Sequence, residues 1–346
     1  MSTSKSSRPR VRRPSPAVFC ALAAASGGLT AGTPAGEPPP APPAREIRIP
    51  VPDVTGLAAA PDGSLLLVSR ADPARLLFRL PAEALLRDVV PGEVLAVFRP
   101  GAQSDSLADP VDLAVGAGDE IFVLGSHARS RFGDAPEARY RLARTVWGPT
   151  QPPGPLMATS ALLDSIVETF PFLTDSIRRT PARAGLSLDG LALLPSGELL
   201  VGVRSPTITE STPRPAGGQE DAVVLTLRQP RSLFSEPRQP AHLSAAEKLD
   251  LGGQGIRAMC PAPGSEVFIL SGLSVEPNHP VQSDWKVWRW NRKDPPRPLR
   301  LRTPPALKSP GALAVLPLHG KPTLLIGEGG PAESRVAAID LPPDPP

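Results

Sequence analysis

The sequence predicts an all-β protein with the β-propeller fold. Five segments repeat one pattern: a small residue, a short apolar stretch, a turn with Gly or Pro, and a longer apolar strand. Further strand-like runs follow most of these segments, and repeated four-stranded units are typical of propellers. Proline accounts for 48 of the 346 residues, which disfavours helices but is tolerated in loops and at strand ends.

Each repeated segment is predicted to form a β-hairpin whose second strand is buried. The turns contain P-D-G, P-S-G or A-G-D, which are residue types favoured in tight turns. The five segments span residues 55–70, 111–127, 189–204, 255–272 and 311–328. The first positions of the repeated motif are Thr55, Val111, Asp189, Gln254 and Pro310, so the steps from one motif to the next are 56, 78, 65 and 56 residues.

The outer strands of each unit follow the hairpins, and they are predicted at 76–80, 93–98, 223–227, 248–251, 286–290, 299–302 and 335–341. The last unit lacks one strand, whereas E-I-R-I-P-V at 46–51 belongs to no other unit. We therefore expect this N-terminal strand to close the ring, which would remove the open sheet edges. This count favours five blades. A sixth blade within the long second step is the alternative.

A helical insertion is predicted near residues 158–178, inside the second step. Six apolar residues lie on roughly one helix face: Leu162, Ile166, Val167, Phe170, Leu173 and Ile177. Pro171 is expected to end or kink the helix. We expect these residues to cover one end of the propeller. A mobile lid over a site is the alternative.

The propeller is predicted to span residues 45–346 as a single domain. Residues 1–13 are basic, 17–25 form a short apolar run, and small residues follow, an order typical of a secretory signal peptide. We predict a signal peptide at 1–25 and a Pro-rich linker at 26–44, with a periplasmic or extracellular location. A disordered basic tail on a cytoplasmic protein is the alternative.

Composition argues against several other classes. The net charge is +3, and much of the excess lies in the first 13 residues without interleaved aromatics, so no nucleic-acid partner is predicted. No apolar run approaches the roughly 18 residues that span a bilayer. Cys20 lies in the targeting segment and Cys260 in a core strand, so no disulfide is predicted. We expect a monomer without a cofactor.

The repeat also predicts a polar mouth at one end of the propeller axis. In each hairpin the start of the first strand and the end of the second lie at the same end. The first set of residues is Thr55, Val111, Asp189, Gln254 and Pro310, and the second is Arg70, His127, Arg204, Gly272 and Glu328. Arg257, just inside the fourth hairpin, is expected to join them.

This mouth is compatible with three functions. The first is a binding module for a small anionic or polar ligand, because guanidinium groups bind carboxylates and phosphates in a bidentate manner. The predicted ligand-binding residues are Arg70, Ser126, Arg204, Ser205, Arg257 and Glu328. The second is a hydrolase of a phosphoester, lactone or glycan, with Asp189 and His127 as catalytic residues. The third is a structural scaffold, in which Asp189 only holds Arg204.

Other polar residues carry weaker signals. His127, Asp189 and Glu328 lack the tight spacing of metal ligands, so no metal is predicted. The run A-R-S-R at 128–131, with Arg139, Arg141 and Arg144, is interpreted as a solvated basic loop, with anion binding as the alternative.

Four motifs carry a resemblance to a known family. They are G-S-H (125–127) with A-R-Y-R-L-A-R (138–144), D-G-L-A-L-L-P-S-G-E-L-L-V-G-V-R-S-P (189–206), L-D-L-G-G-Q-G-I-R (249–257) and V-W-R-W (287–290). In this order they resemble a bacterial domain-of-unknown-function family, number 3616, over about residues 50–330. The resemblance implies an often exported β-propeller without an established activity.

This chain departs from that family's pattern in two places. The family has E-G-L where this chain has D-G-L at 189–191, and an acidic residue where this chain has Val111. The retained acid Asp189 supports a site, whereas Val111 argues against a pair of catalytic carboxylates.

Overall fold

Within the part of the chain that the structure describes, twenty strands form five four-stranded antiparallel sheets, which are the blades of a propeller. The computed structural model describes residues 44–99, 107–208, 220–235, 240–274, 284–301 and 306–341. These residues belong to one compact unit, Ala41–Pro346. The predicted signal peptide and all but the last residue of the predicted linker lie outside the described residues.

The first four blades follow the chain, and each runs from its innermost to its outermost strand. Strand β1 (Arg45–Ile49) precedes them. Blade 1 consists of β2 (Val54–Ala59), β3 (Leu65–Ser69), β4 (Leu77–Leu80) and β5 (Ala96–Phe98). Blade 2 consists of β6 (Pro110–Val115), β7 (Glu120–Gly125), β8 (Leu142–Val146) and β9 (Met157–Thr159).

The next two blades have the same order of strands. Blade 3 consists of β10 (Ser187–Leu193), β11 (Leu199–Ile208), β12 (Asp221–Leu227) and β13 (Glu247–Leu249). Blade 4 consists of β14 (Gly255–Pro261), β15 (Val267–Gly272), β16 (Lys286–Trp290) and β17 (Arg297–Pro298). The innermost strands contact each other around the ring.

Blade 5 joins the two ends of the propeller. Its strands are β18 (Ala312–Leu318), β19 (Lys321–Glu328), β20 (Ser334–Asp340) and, outermost, β1. Arg45 lies opposite Ala338, and Ile49 lies opposite Ser334. Both the five blades and the closure by an N-terminal strand are therefore confirmed.

The free edge of β1 is partly covered by the chain of blade 1. The amide of Arg48 donates to the carbonyl of Asp88, and the amide of Val90 donates to the carbonyl of Arg48. An open strand edge invites pairing with other chains, so these two bonds protect it.

The long second step contains helices instead of a sixth blade. They are α1 (Ala161–Thr169) and α2 (Pro171–Ile177). Phe170 between them has φ −124° and ψ 75°, because the residue before a proline is disfavoured in the helical region. Leu162, Ile166 and Leu173 pack against strands of blades 2 and 3. The helices therefore cover the wedge between these two blades.

The hydrophobic core is divided into five clusters, and each lies between two neighbouring blades. They consist mainly of Leu, Val, Ile and Ala, as the 4% aromatic content requires. Burying one such large aliphatic side chain contributes about 1.5–3 kcal/mol. Packing between blades therefore holds the ring together, and it fixes the ends of the innermost strands.

Two predictions about the outer strands were wrong. The segment around Arg144 is not a solvated loop, because it forms β8 and Arg144 pairs with buried Glu120. The outer strand of blade 4 is Arg297–Pro298 and not 299–302. None of the helices among the described residues is long and apolar enough to cross a membrane.

Candidate functional site

Each hairpin has an open end, where the innermost strand begins and the second strand ends, and a turn end. We call the side with the open ends the open face and the other side the turn face. The pairs at the open face are Val54 with Ser69, Pro110 with Gly125, Ser187 with Ser205, and Gly255 with Gly272. This geometry was predicted from the repeat.

A β-bulge interrupts the innermost strand of blades 1–4 close to the open face. The extra residues of the bulges are Thr55, Val111, Asp189 and Arg257. Bulges redirect a side chain away from the regular alternation. The fourth position is thus occupied by Arg257 and not by Gln254, which the sequence alignment of the repeats had placed there.

Asp189 and two arginines form the best-defined charged cluster on this face. Asp189 is 6% exposed. Its Oδ2 lies 3.3 Å from Nη1 of Arg204 and 3.7 Å from Nε of Arg257, while the Ser187 hydroxyl donates to its Oδ1 at 2.8 Å. We call Asp189, Arg204 and Arg257 the Asp189 cluster.

Local backbone features hold the two arginines in place. Arg204 is itself a bulge residue in the third hairpin, and its Nε donates to the carbonyl of Leu273 at 3.2 Å. Arg257 lies over two glycines. A Cβ at Gly272 would be 3.1 Å from Cγ of Arg257, and one at Gly311 would be 3.5 Å from its Nη2. Glycine at both positions leaves room for this side chain.

Arg70 lies near the Asp189 cluster but has its own partners. Its Nε donates to Asp53 at 2.8 Å, and its Nη1 lies 3.9 Å from Asp109. Burial acts to lower the pKa of Arg70, but the hydrogen bond to Asp53 and the charges of Asp53, Asp109 and Asp189 raise it. The field of Asp189 therefore reaches a third guanidinium group.

Ser126 belongs to a neighbouring ion-pair group. Arg139 pairs with Asp109, and its Nη2 lies 3.3 Å from the Ser126 hydroxyl, which accepts the bond. Ser126 also corresponds to Arg70, because its amide donates to Asp109 as the amide of Arg70 donates to Asp53. Arg139 was assigned to a solvated loop, and the structure places it on the open face.

His127 lies one residue beyond the predicted register and is fully buried. Its φ of 50° is left-handed. Nδ1 lies 2.8 Å from the carbonyl of Gly125, so Nδ1 carries the proton, and Nε2 has no hydrogen-bond partner within the described structure. Burial lowers the pKa of His127 to about 4, although the bond to Gly125 opposes this. No hydrogen bond or ion pair between described residues joins His127 to Asp189.

Glu328 and Ser205 likewise form no hydrogen bond or ion pair with Asp189 within the described ranges. Glu328 accepts bonds from the amides of Lys308 and Ser309 and pairs with Arg335, so its described contacts lie in or beside blade 5. Ser205 is 1% exposed, and its hydroxyl has no partner among the described residues.

Asp112 is the polar residue on the axis that the sequence analysis missed. It is fully buried, and its Oδ2 accepts bonds from the amides of Leu191 at 2.8 Å and Met259 at 3.4 Å. Its Oδ1 accepts a bond from its own neighbour, Leu113, at 2.9 Å. A Cβ on Gly56 would lie 2.7 Å from Asp112 Oδ1. One carboxyl group thus touches blades 1, 3 and 4.

The environment of Asp112 has opposing effects on its protonation. Burial raises the pKa of this carboxyl well above its ordinary value, the three amide donors oppose the rise, and the charge of Asp189 adds to it. The corresponding residues in blades 1, 3 and 4 are Gly56, Gly190 and Ala258. An acid among these small residues was the signal in the sequence that could have identified Asp112.

Metal binding has no support in the part of the chain that the structure describes. No group of three or more His, Cys, Asp or Glu side chains there is arranged to hold a metal ion. The ion pairs described on the open face join guanidinium and carboxylate groups.

Comparisons with known proteins add the following findings. No protein-family model and no curated protein matches the sequence significantly. Among solved structures, the chain is similar to a gluconolactonase from Xanthomonas campestris, with a TM-score of 0.40 and 14% identity over 85% of this chain and 89% of that chain. A GH43 β-1,3-galactosidase gives a TM-score of 0.46 and 10% identity, covering 84% and 91% of the two chains.

A luciferin-regenerating enzyme gives a TM-score of 0.40 and 10% identity, covering 86% of this chain and 97% of that chain. Likeness at this level says nothing about activity. The fold is established by the five sheets of this chain, and its function has to be argued from the site. Membership of family 3616 stays a prediction.

Proposed function

We propose that this protein is an exported binding module that takes a small anionic or polar ligand at the open face of its propeller. The observation that carries the proposal is the Asp189 cluster, where two guanidinium groups lie beside one buried carboxylate. Within the described structure, Arg204 makes its polar contacts through Nε and Nη1. The N–H groups of Nη2 are therefore available to a ligand.

A hydrolase that uses Asp189 and His127 has less support. Asp189 already accepts bonds on both oxygens, and a general base must reach the proton that it removes. His127 is fully buried with its Nδ1–H directed to Gly125. We therefore place ligand binding, and not catalysis, on this face.

The experiment is a thermal-shift screen of the full chain at constant ionic strength. The ligands are inorganic phosphate, sulfate, acetate, citrate, gluconate and glucose, and the variant is Arg204→Ala. A ligand present at about 100 times its Kd stabilises the folded state by about 2.7 kcal/mol. We expect at least one ligand to raise the Tm of the wild type, and the rise to be lost in the variant.

The matched control is Arg144→Ala. Arg144 pairs with Glu120, a buried carboxylate that also pairs with Arg231, so it reproduces the chemistry of the Asp189 cluster on the turn face. The control should keep the ligand-dependent rise in Tm. A flat response of all three proteins to every ligand would contradict the proposal and leave the scaffold function.

A further inference from the structure

We infer that Asp189 is an internal counter-ion of an oxyanion site, and that the ligand of the open face is a multiply charged oxyanion such as a phosphate ester or a dicarboxylate. This inference rests on the proposed function and adds the chemical class of the ligand. It also gives Asp189 a role opposite to that of a ligand-binding or catalytic group, since its charge competes with the ligand.

The guanidinium groups of Arg204 and Arg257 both lie beside the carboxylate of Asp189. Arg204 and Arg257 approach the same oxygen, Oδ2 of Asp189, at 3.3 and 3.7 Å. Two guanidinium groups that approach one oxygen lie close to each other. Neighbouring guanidinium groups are suited to the several oxygens of a phosphate or carboxylate.

Contacts other than those with Asp189 also hold Arg204 and Arg257 in place. Arg204 is fixed by the carbonyl of Leu273, and Arg257 lies against the glycine positions 272 and 311. Their side chains are 15% and 16% exposed, so little rotamer freedom remains to be lost on binding. Removal of the Asp189 charge should therefore leave both groups on the open face.

The charge of Asp189 affects which anions the two arginines can bind. Asp189 is a negative group beside the arginines that would bind an incoming anion, so its charge repels that anion. Arg70 lies within the field of Asp189, and its side chain is 48% exposed. A monoanion gains little by competing with a carboxylate for these groups, whereas a dianion gains about twice the Coulomb energy at the same distance. The cluster should therefore favour dianions.

The experiment measures the binding of sulfate, inorganic phosphate, acetate and nitrate to the full chain by isothermal titration calorimetry at constant ionic strength. Wild-type protein should bind sulfate and phosphate with a Kd at least about tenfold lower than its Kd for acetate and nitrate. Asp189→Asn keeps an oxygen for the Ser187 hydroxyl but removes the charge. It should bind all four anions more tightly, by about tenfold for the monoanions acetate and nitrate and by more for sulfate and phosphate, because the charge that is removed repels a dianion about twice as strongly.

The control is Glu120→Gln, which removes the charge of the equivalent carboxylate on the turn face and should leave anion binding unchanged. Weaker or equal anion binding by Asp189→Asn would overturn the inference. If that variant does not fold, the wild-type comparison still decides, because equal affinity for sulfate and acetate would overturn it as well.

The outcomes also separate this inference from the proposed function. Binding of glucose without binding of any anion would leave the open face as a ligand site and refute the oxyanion class. Binding of no ligand at all would refute both. Anion binding that survives Arg204→Ala would place the anions elsewhere and would also refute both.

Discussion

The buried side chain of His127 is neutral at physiological pH. Its ring is inaccessible to solvent, its edge faces the ring of Tyr140 at 6.2 Å, and its Nδ1–H bonds to Gly125. Burial lowers the pKa to about 4 from an ordinary value of 6.5. The folded protein therefore resists a charge that the unfolded chain accepts.

This difference predicts an acid-dependent loss of stability. Between pH 6.5 and 4 the unfolded chain binds a proton at position 127 and the folded chain does not, so acid favours unfolding. The contribution of His127 is complete above pH 6.5, and about 3 kcal/mol of it is lost as the pH falls towards 4.

His127→Asn should remove this component of the pH dependence. Asn retains an N–H donor for Gly125 and tolerates the left-handed φ of 50° better than most residues do. The measurement is urea unfolding of both proteins at pH 7 and pH 4.5. An equal loss of stability in both proteins on acidification would contradict the expectation.

At the scale of residues, the sequence predicted the open face but not the contacts within it. Arg204 and Asp189 could be placed together because the hairpin repeat brings their positions together. The alignment of the repeats placed Gln254 three residues before the equivalent position, which is Arg257, and His127 one residue after its equivalent position, which is Ser126. The bulges, which change the partner and direction of the next side chain, were not predicted, and Asp112 was overlooked.

At the scale of elements, β1 is the strand on which closure of the ring depends. Ile47 and Ile49 are fully buried in the cluster between blades 5 and 1, whereas Glu46 and Arg48 are exposed. This alternation of period two made the strand recognisable in the sequence. Its partner was predictable only from the strand missing in the last unit.

Shortening a buried side chain of β1 should weaken the closure. Ile47→Ala is expected to cost about 2–5 kcal/mol of the free energy of unfolding, through lost burial and the cavity that remains. Glu46→Ala, on the exposed face of the same strand, should change it by less than about 0.5 kcal/mol. Chemical denaturation of both variants tests this, and similar losses in the two would contradict it.

The strands that the sequence patterns did not reveal are polar or short. Strand β8 was hidden because three of the residues from Arg139 to Arg144 are arginines, although two of its own residues, Leu142 and Ala143, are fully buried. Strand β17 has only two residues, both exposed. Neither has the continuous apolar run that identified the innermost hairpins.

At the scale of the whole molecule, Asp112 links blades that are distant in sequence. Its carboxyl group accepts amide bonds from Leu191 of blade 3 and Met259 of blade 4 while belonging to blade 2. A repeat of identical blades would have a small residue here, as the other aligned innermost strands do. The link is thus a departure from the repeat, and pattern matching is insensitive to such departures.

Asp112→Ala should destabilise the whole ring. Three amides would lose their acceptor, and each unsatisfied buried donor costs about 1–3 kcal/mol, so we expect a loss of about 3 kcal/mol or more. Asp112→Asn, which retains one acceptor oxygen, should lose less. Equilibrium unfolding monitored by circular dichroism measures both.

Asp88→Ala provides the comparison, because Asp88 is exposed and only its backbone pairs with β1. Its stability should lie within about 0.5 kcal/mol of the wild type. If Asp112→Ala were as stable as Asp88→Ala, the axial hydrogen bonds would contribute nothing to the ring.

The pairing of β1 with β20, in which Arg45 lies opposite Ala338, also determines when the ring can close during synthesis of the chain. On the ribosome, β1 is made well before β20, and it must wait while four blades and two further strands are synthesised. Until then the nascent propeller is an arc with two exposed sheet edges, both able to pair with a neighbouring chain. The ring can therefore close only when β20 has been translated, and a chain that stops before Ser334 leaves β1 without its partner.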